Sequence, residues 1–259
     1  MTLTGKRVLL TGATGNIGKH IAITIAELGG DLVLTDLPGS DYSQLIKLIN
    51  EFSNINVETF DCQLEEEESR NLLISFLRDS KKSLNVIINN AAFVGTSDLS
   101  GWATDFESQT ISTWKRVMEV NLTAVFDLSK GLSEKLKSSK NGSIINMASI
   151  YGSNAPDYSL YEGTEMANPA AYAASKGGLI QLTRWLSSTM APNVRVNAIS
   201  FGGVFRNQNQ EFIKRYVAQT PMNRMATEED VKGIIAYLAS DLSQYVTGQD
   251  FMIDGGWSV

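Results

Sequence analysis

One cysteine, Cys62, and one histidine, His20, occur in a chain of 259 residues. A single thiol excludes an intrachain disulfide and fits a reducing compartment. One His and one Cys are too few for the usual ligand set of a dedicated zinc site, so no metal is expected. His20 falls within the first predicted helix, where a surface or packing role is expected of it. Positive charge is also short: 22 Lys and Arg stand against 28 Asp and Glu, for a net charge of -6. That balance argues against nucleic acid or an anionic membrane surface as partner. No apolar run approaches the ~18 residues of a membrane span. The Val8-Leu9-Leu10 run near the N-terminus is too short for a signal peptide. A cytoplasmic location and no membrane partner are therefore expected. No linker rich in Pro, Gly or Ser, no internal repeat and no low-complexity tract divides the chain, so one domain over residues 1–259 is the simplest organisation.

What is present is a regular alternation of apolar runs and amphipathic segments. Hydrophobic residues make up 43% of the chain and charged residues 19%, enough for a buried core. Strands are predicted at 8–11, 31–35, 56–60, 84–89, 143–147, 194–199 and 251–253. Helices are predicted at 16–28, 44–52, 65–80, 112–136, 170–190 and 227–239, that at 112–136 as one long element. Continuous apolar strands between amphipathic helices predict an α/β fold: a Rossmann-type doubly wound parallel sheet covered on both faces. The acidic run 65–68 opens a predicted helix, where negative charge complements the dipole.

The first strand runs into Thr11-Gly12-Ala13-Thr14-Gly15-Asn16-Ile17-Gly18, which then opens the first helix. Glycines there allow a tight turn and a close approach to a pyrophosphate, and the helix N-terminus supplies free N–H groups. The spacing excludes a P-loop, because Ala13 and His20 stand where that motif needs Gly and Ser or Thr. Asp36 ends the second strand. A carboxylate there accepts hydrogen bonds from adenosine ribose hydroxyls and repels a 2′-phosphate. No Lys or Arg lies between Asp31 and Gln44, so NAD is expected over NADP. Tyr172 and Lys176 stand four apart on a predicted helix and share one face. A tyrosine of ordinary pKa is a poor base at neutral pH, and a neighbouring ammonium would favour its phenolate.

These motifs join others in a fixed order: Asp61-Cys62, Asn89-Asn90-Ala91-Ala92, Val120-Asn121-Leu122, Met147-Ala148-Ser149, Tyr172-Ala173-Ala174-Ser175-Lys176, Arg195-Val196-Asn197, and the tail Asp254-Gly255-Gly256-Trp257. The chain thereby resembles the short-chain dehydrogenase/reductase family over essentially its whole length. The resemblance implies an NAD-dependent oxidoreductase that interconverts an alcohol and a carbonyl. It implies Tyr172 as general acid/base and Ser149 as hydrogen-bond donor to the substrate oxygen. Lys176 would hold the nicotinamide ribose and lower the Tyr172 pKa. Asn121 would interrupt its helix and hold a proton-relaying water. Cofactor contacts would come from Gly12, Thr14, Gly15, Asn16, Ile17, Gly18, Asp36, Asp61, Cys62, Asn90, Ala91, Ala92, Tyr172, Lys176, Gly202 and Val204, with Asp61 at the adenine ring. A homodimer or homotetramer would form through the helices at 112–136 and 170–190.

Three departures from the family pattern bear on function. Asn16 replaces the middle glycine of the turn, leaving glycines at 12, 15 and 18. That spacing is similar to the extended branch with its sugar-nucleotide epimerases, although the tail belongs to the short branch. Asn tolerates left-handed backbone better than most residues, so cofactor binding should survive. Ser200-Phe201-Gly202-Gly203 lacks the proline usual after the sixth strand, and Phe201 either walls the nicotinamide or packs inward. Ser149 and Tyr172 lie 23 residues apart, beyond the family's usual interval. The extra residues, 153–168, and the lid-like stretch 205–216 are expected as substrate loops. Their Tyr, Asn, Gln, Glu and Arg side chains suit a small polar substrate such as a sugar or amino sugar. The chain also bears a faint resemblance to family members linked to bacterial surface-sugar biosynthesis. An epimerase or dehydratase with tightly held NAD, and a non-catalytic dinucleotide-binding scaffold, stay open as alternatives.

Overall fold

The computed structural model describes residues 2–52, 54–95 and 97–259. Seven parallel strands form one sheet in the order β3-β2-β1-β4-β5-β6-β7. They are β1 (Arg7–Thr11), β2 (Asp31–Asp36), β3 (Val57–Asp61), β4 (Val86–Asn89), β5 (Gly142–Met147), β6 (Val194–Phe201) and β7 (Asp250–Ile253). The central strands β1, β4, β5 and β6 are buried throughout, as their unbroken apolar runs require, whereas the edge strands β3 and β7 are half-buried.

Alternate residues of each strand feed two cores. Val8, Leu10, Val86, Ile88 and Ile145 face one side, against α1 (Asn16–Glu27), α2 (Ser43–Phe52) and α9 (Lys232–Ala239). Leu9, Ile87, Ile144 and Val196 face the other, against α3 (Glu67–Asp79), α5 (Ala124–Gly131) and α7 (Ala170–Met190). The chain winds outward from β1 to β3, then crosses back to β4 on the other side of β1. Connections therefore diverge above β1 and β4, leaving a crevice at the carboxyl ends of the strands, where ligands bind in such sheets.

Two predicted helices are subdivided. The expected long helix 112–136 is α4 (Ile111–Met118), a π-turn at Glu119–Thr123, α5, and, after a break at Leu132, α6 (Ser133–Ser138). The break follows Gly131, a weak helix former placed where a Cβ would press on Ile74. The expected helix 227–239 begins as a 3-10 turn, Glu228–Val231, with a capping box between Thr227 and Asp230, before α9. The stretch 205–216 is a loop leading into α8 (Gln210–Gln219). His20 lies on α1, its Nδ1 2.9 Å from the Asn16 carbonyl oxygen and its Nε2 3.3 Å from Glu229. Among the described residues no helix is long and apolar enough to cross a membrane.

Candidate functional site

The glycine turn lies between β1 and α1 and is fixed from beneath by the end of β4. The Asn90 amide donates to the Thr11 and Gly12 carbonyls at 3.1 and 3.0 Å. The Asn90 and Ala91 backbone N–H groups donate to the Thr11 hydroxyl at 3.0 and 3.1 Å. Gly12 has φ +67°, and a Cβ there would stand 2.8 Å from Ala91 Cα. A Cβ on Gly18 would stand 2.0 Å from the Gly12 carbonyl oxygen. Gly15 caps α1 without any side-chain hydrogen bond, so the free N–H groups of the first turn face outward beside exposed Gly15 and Asn16. This backbone cradle fits a pyrophosphate. Asn16 is the first residue of α1 and is not among the residues with positive φ. Its tolerance of left-handed backbone is therefore unused: the position needs only helical backbone.

Asp36 sits beside the cradle. Its Oδ2 accepts from the Thr14 backbone N–H and hydroxyl at 2.8 and 2.7 Å, and its Oδ1 accepts from Leu37 N–H at 2.9 Å. In register with Asp36 on β3, Asp61 accepts from Gly39 N–H at 3.2 Å and from the Tyr42 hydroxyl at 3.3 Å. Burial pushes the Cys62 thiol pKa up. Two carboxylates thus flank the outer end of the crevice, with no basic residue on the loop 37–43 that joins β2 to α2.

The inner end carries the Tyr-Lys pair. Ser149 caps the 3-10 turn Ile150–Gly152 directly after β5, its hydroxyl accepting from Tyr151 N–H at 3.2 Å. Tyr172 lies in the first turn of α7 and Lys176 one turn later. Lys176 is buried, donates to the Met147 carbonyl at 2.6 Å, and stands 5.7 Å from the Tyr172 ring centroid. Burial lowers its pKa to about 8. Burial also raises the Tyr172 pKa, against opposing pulls from the Ser149 hydroxyl and the Arg206 charge. The sequence suggested that the Lys176 ammonium lowers the Tyr172 pKa. Here desolvation outweighs every favourable neighbour, and the ammonium is turned to a carbonyl over the ring.

Asn121 explains the π-turn. Its amide oxygen accepts from Phe93 N–H at 2.8 Å, and its amide nitrogen donates to the Phe93 carbonyl and the Ser175 hydroxyl, both at 3.1 Å. The wider turn lets Asn121 tie the loop after β4 to α7. Arg70, buried on α3, steadies the same turn. It reaches Glu119 and Asp127 at 2.8 Å each, together with the Leu64 carbonyl.

Sequence reasoning named the insert 153–168 and the stretch 205–216 but not the contacts that join them. The insert 153–168 folds against α8. Arg215 donates to the Ser159 and Glu162 carbonyls at 3.2 and 2.6 Å, and Gln219 donates to Asp157 at 2.7 Å. Leu160 is buried with Phe212 and Tyr216. The Tyr151 and Tyr161 hydroxyls are 2.8 Å apart. Asn168 is buried with its Oδ1 unpartnered among the described residues. Nothing in the spacing of these residues marks them as a group; only the folded insert assembles them. Phe201, offered as a nicotinamide wall or a packing residue, is 6% exposed and packs with Met147 and Ile199 in the core. The turn after it places Gly202, whose N–H donates to the Ile253 carbonyl at 2.9 Å, and Val204, bridged to Ala226.

A family model described as Enoyl-(Acyl carrier protein) reductase matches residues 12–258. The post-translational flagellin modification protein A of Campylobacter coli is 28% identical, over 99% of this chain and 100% of its own. The structure of a short-chain dehydrogenase from Leptospira borgpetersenii with bound NAD+ is similar at 31% identity and TM-score 0.85, covering 100% of this chain and 94% of that one. A Beutenbergia cavernae structure named as an NAD(P)-dependent gluconate 5-dehydrogenase, with bound NADP, is similar at 28% identity and TM-score 0.86, covering 99% and 98%.

Proposed function

The chain belongs to the short-chain dehydrogenase/reductase family, and from that premise we propose an NAD-dependent oxidoreductase acting on a small, hydroxyl-rich substrate such as a sugar, amino sugar or sugar acid. The observation that carries the polar substrate is the polar surroundings of Tyr172. Tyr151 and Tyr161, with hydroxyls 2.8 Å apart, both lie within electrostatic reach of its phenol, Arg206 brings its charge to bear on it, and the insert adds the buried Asn168, its Oδ1 unpartnered among the described residues. The segments 153–168 and 205–216 are the substrate loops of a single catalytic domain. A relative named for gluconate agrees with a polar ligand.

In this reading a bound nicotinamide would supply the hydride chemistry at the carbinol carbon. Tyr172 exchanges the proton of the substrate oxygen, which Ser149 hydrogen-bonds while charge develops on it. Lys176, which donates to the Met147 carbonyl, would hold the nicotinamide ribose and favour the Tyr172 phenolate. Asn121 fixes the backbone of the π-turn, whose carbonyls can hold a water leading to Lys176. Gly12, Thr14, Gly15, Asn16, Ile17 and Gly18 would cradle the pyrophosphate. Asp36 would take the adenosine ribose, Asp61 and Cys62 would border the adenine, and Asn90, Ala91, Ala92, Gly202 and Val204 would border the nicotinamide half. The Asp36 carboxylate, without a nearby cation on its loop, favours NAD over NADP. Exposed Ile111, Trp114, Phe126 and Trp185 on α4, α5 and α7 support a homodimer or homotetramer through those helices.

The test is turnover. The purified protein is mixed with NAD+ and a panel of polyols, sugars and aldonates, and with NADH and a 3-oxoacyl thioester. NADH absorbance should rise on a polyhydroxylated substrate, and Tyr172→Phe should abolish that rise. Activity confined to the thioester would overturn the substrate class, and an active Tyr172→Phe variant would overturn the mechanism.

A further inference from the structure

The turn after β6 lacks its proline and carries two consecutive glycines, Gly202 and Gly203, the residues that restrain a backbone least. Something else must hold it. Gly202 N–H donates to Ile253, and the Gly203 carbonyl accepts from Ala226 N–H at 3.0 Å. The remaining donor, Gly203 N–H, points at the phenol oxygen of Tyr216, 2.6 Å away. Tyr216 comes from α8, thirteen residues further along the chain.

The fit between ring and turn is mutual. A Cβ on Gly203 would lie 2.8 Å from Tyr216 Cζ, and one on Gly202 would lie 3.1 Å from its hydroxyl. The glycines let the ring lie directly on the backbone, and the ring then satisfies the amide that their flexibility leaves free. Tyr216 is 2% exposed. Trp257, from the tail, stacks on the ring at 5.8 Å with planes 12° apart. Trp257 in turn meets Tyr151 edge-on at 6.0 Å, and Tyr151 hydrogen-bonds Tyr161 of the insert. Burial raises the Tyr216 pKa to about 12, so the phenol stays neutral at working pH. A plain packing role would need the ring but not its hydroxyl.

We infer that Tyr216 is a positioning residue: its hydroxyl holds the Gly202–Val204 turn against the nicotinamide when α8 is seated, in place of the missing proline. The inference rests on the proposed cofactor site. It makes the lid helix a part of the nicotinamide site, so that unseating α8 frees the Gly203 amide and loosens the turn.

Tyr216→Phe keeps the ring and removes the hydrogen bond. NADH is titrated into wild type and variant and its emission followed. Emission of bound NADH rises when the nicotinamide is held rigidly. The expected result is a Kd within about threefold of wild type, because the adenosine half is untouched, with saturated emission falling toward that of free NADH. With a turned-over substrate, kcat should fall about tenfold at unchanged substrate KM. Gly203→Ala, whose Cβ displaces the ring, should give the same emission loss and serves if Tyr216→Phe does not fold. Unchanged saturated emission and unchanged kcat in a folded variant would overturn the inference. Wild type that binds NADH but turns over nothing would instead overturn the proposed activity, and the emission comparison would still decide the role of Tyr216.

Discussion

Lys176 is held at a cost that can be measured. Its side chain is 3% exposed and, among the described residues, has one hydrogen bond, to the Met147 carbonyl. Burial lowers its pKa from 10.5 to about 8. Below pH 8 both folded and unfolded chains carry the charge, and the folded chain bears the full desolvation penalty. That penalty is roughly 3 kcal/mol, because each tenfold loss of proton affinity corresponds to about 1.4 kcal/mol. Between pH 8 and 10.5 the unfolded state binds the proton that the folded state has lost, so stability rises with pH. Above 10.5 the penalty is gone. Replacing Lys176 by Met removes the titrating group and keeps most of the length of the side chain. The assay is urea unfolding of cofactor-free wild type and Lys176→Met at pH 7, 8, 9 and 10. Other groups titrate equally in both, so the difference in unfolding free energy isolates Lys176. Wild type should gain about 1 kcal/mol on the variant between pH 7 and 9, with the slope steepest above pH 8. A flat difference, or a gain for the variant with rising pH, would refute the assignment of a desolvated ammonium. The variant should also lose turnover, which separates the stability cost of Lys176 from its use.

The remaining tests address the cofactor cradle and its support. Asp36→Ser should raise kcat/KM with NADP+ relative to NAD+ by at least about tenfold, because the charge facing a 2′-phosphate disappears. An unmoved ratio would remove Asp36 from the ribose site. Gly18→Ala places a Cβ 2.0 Å from the Gly12 carbonyl oxygen. It should lower the melting temperature, with about 1–3 kcal/mol of strain, and abolish the NADH emission change. Arg70→Met strands Glu119, Asp127 and the Leu64 carbonyl. It should cost about 3 kcal/mol in urea unfolding and lower turnover through the Asn121 turn, whereas full stability would mean that the partners find water.

The sheet was legible because its central strands are buried on both faces and so read as unbroken apolar runs. The helices showed their 3.6-residue period. The motif residues were legible for a related reason: in a parallel sheet they cluster at strand ends, where chain position alone predicts proximity. What escaped was set by three-dimensional competition. The resemblance implied that Asn121 interrupts its helix, but not the cause: three hydrogen bonds to Phe93 and Ser175 outweigh the regular ladder, and no window of sequence contains those partners. The direction of the Tyr172 pKa depends on how much water its pocket admits, which the Tyr-x-x-x-Lys spacing does not encode. Phe201 turned inward because β6 runs two residues beyond its predicted end, carrying it into the core.

The insert departs furthest from the family pattern, and its attachments decide how it can act. Arg215 binds the carbonyls of Ser159 and Glu162, Gln219 binds Asp157, and Tyr161 packs on Phe212 at 5.4 Å. All three lid residues lie on one helix, α8, so the helix cannot lift alone without losing every one of these contacts. Lid and insert therefore share their contacts as one unit. Substitutions in the two segments should couple rather than add, as residues with common partners do. On the proposed reading of both segments as substrate loops, a change confined to α8 would leave Tyr161 and Asn168 of the insert as they are. The two segments, one on each side of α7 in sequence, would then have to be altered together.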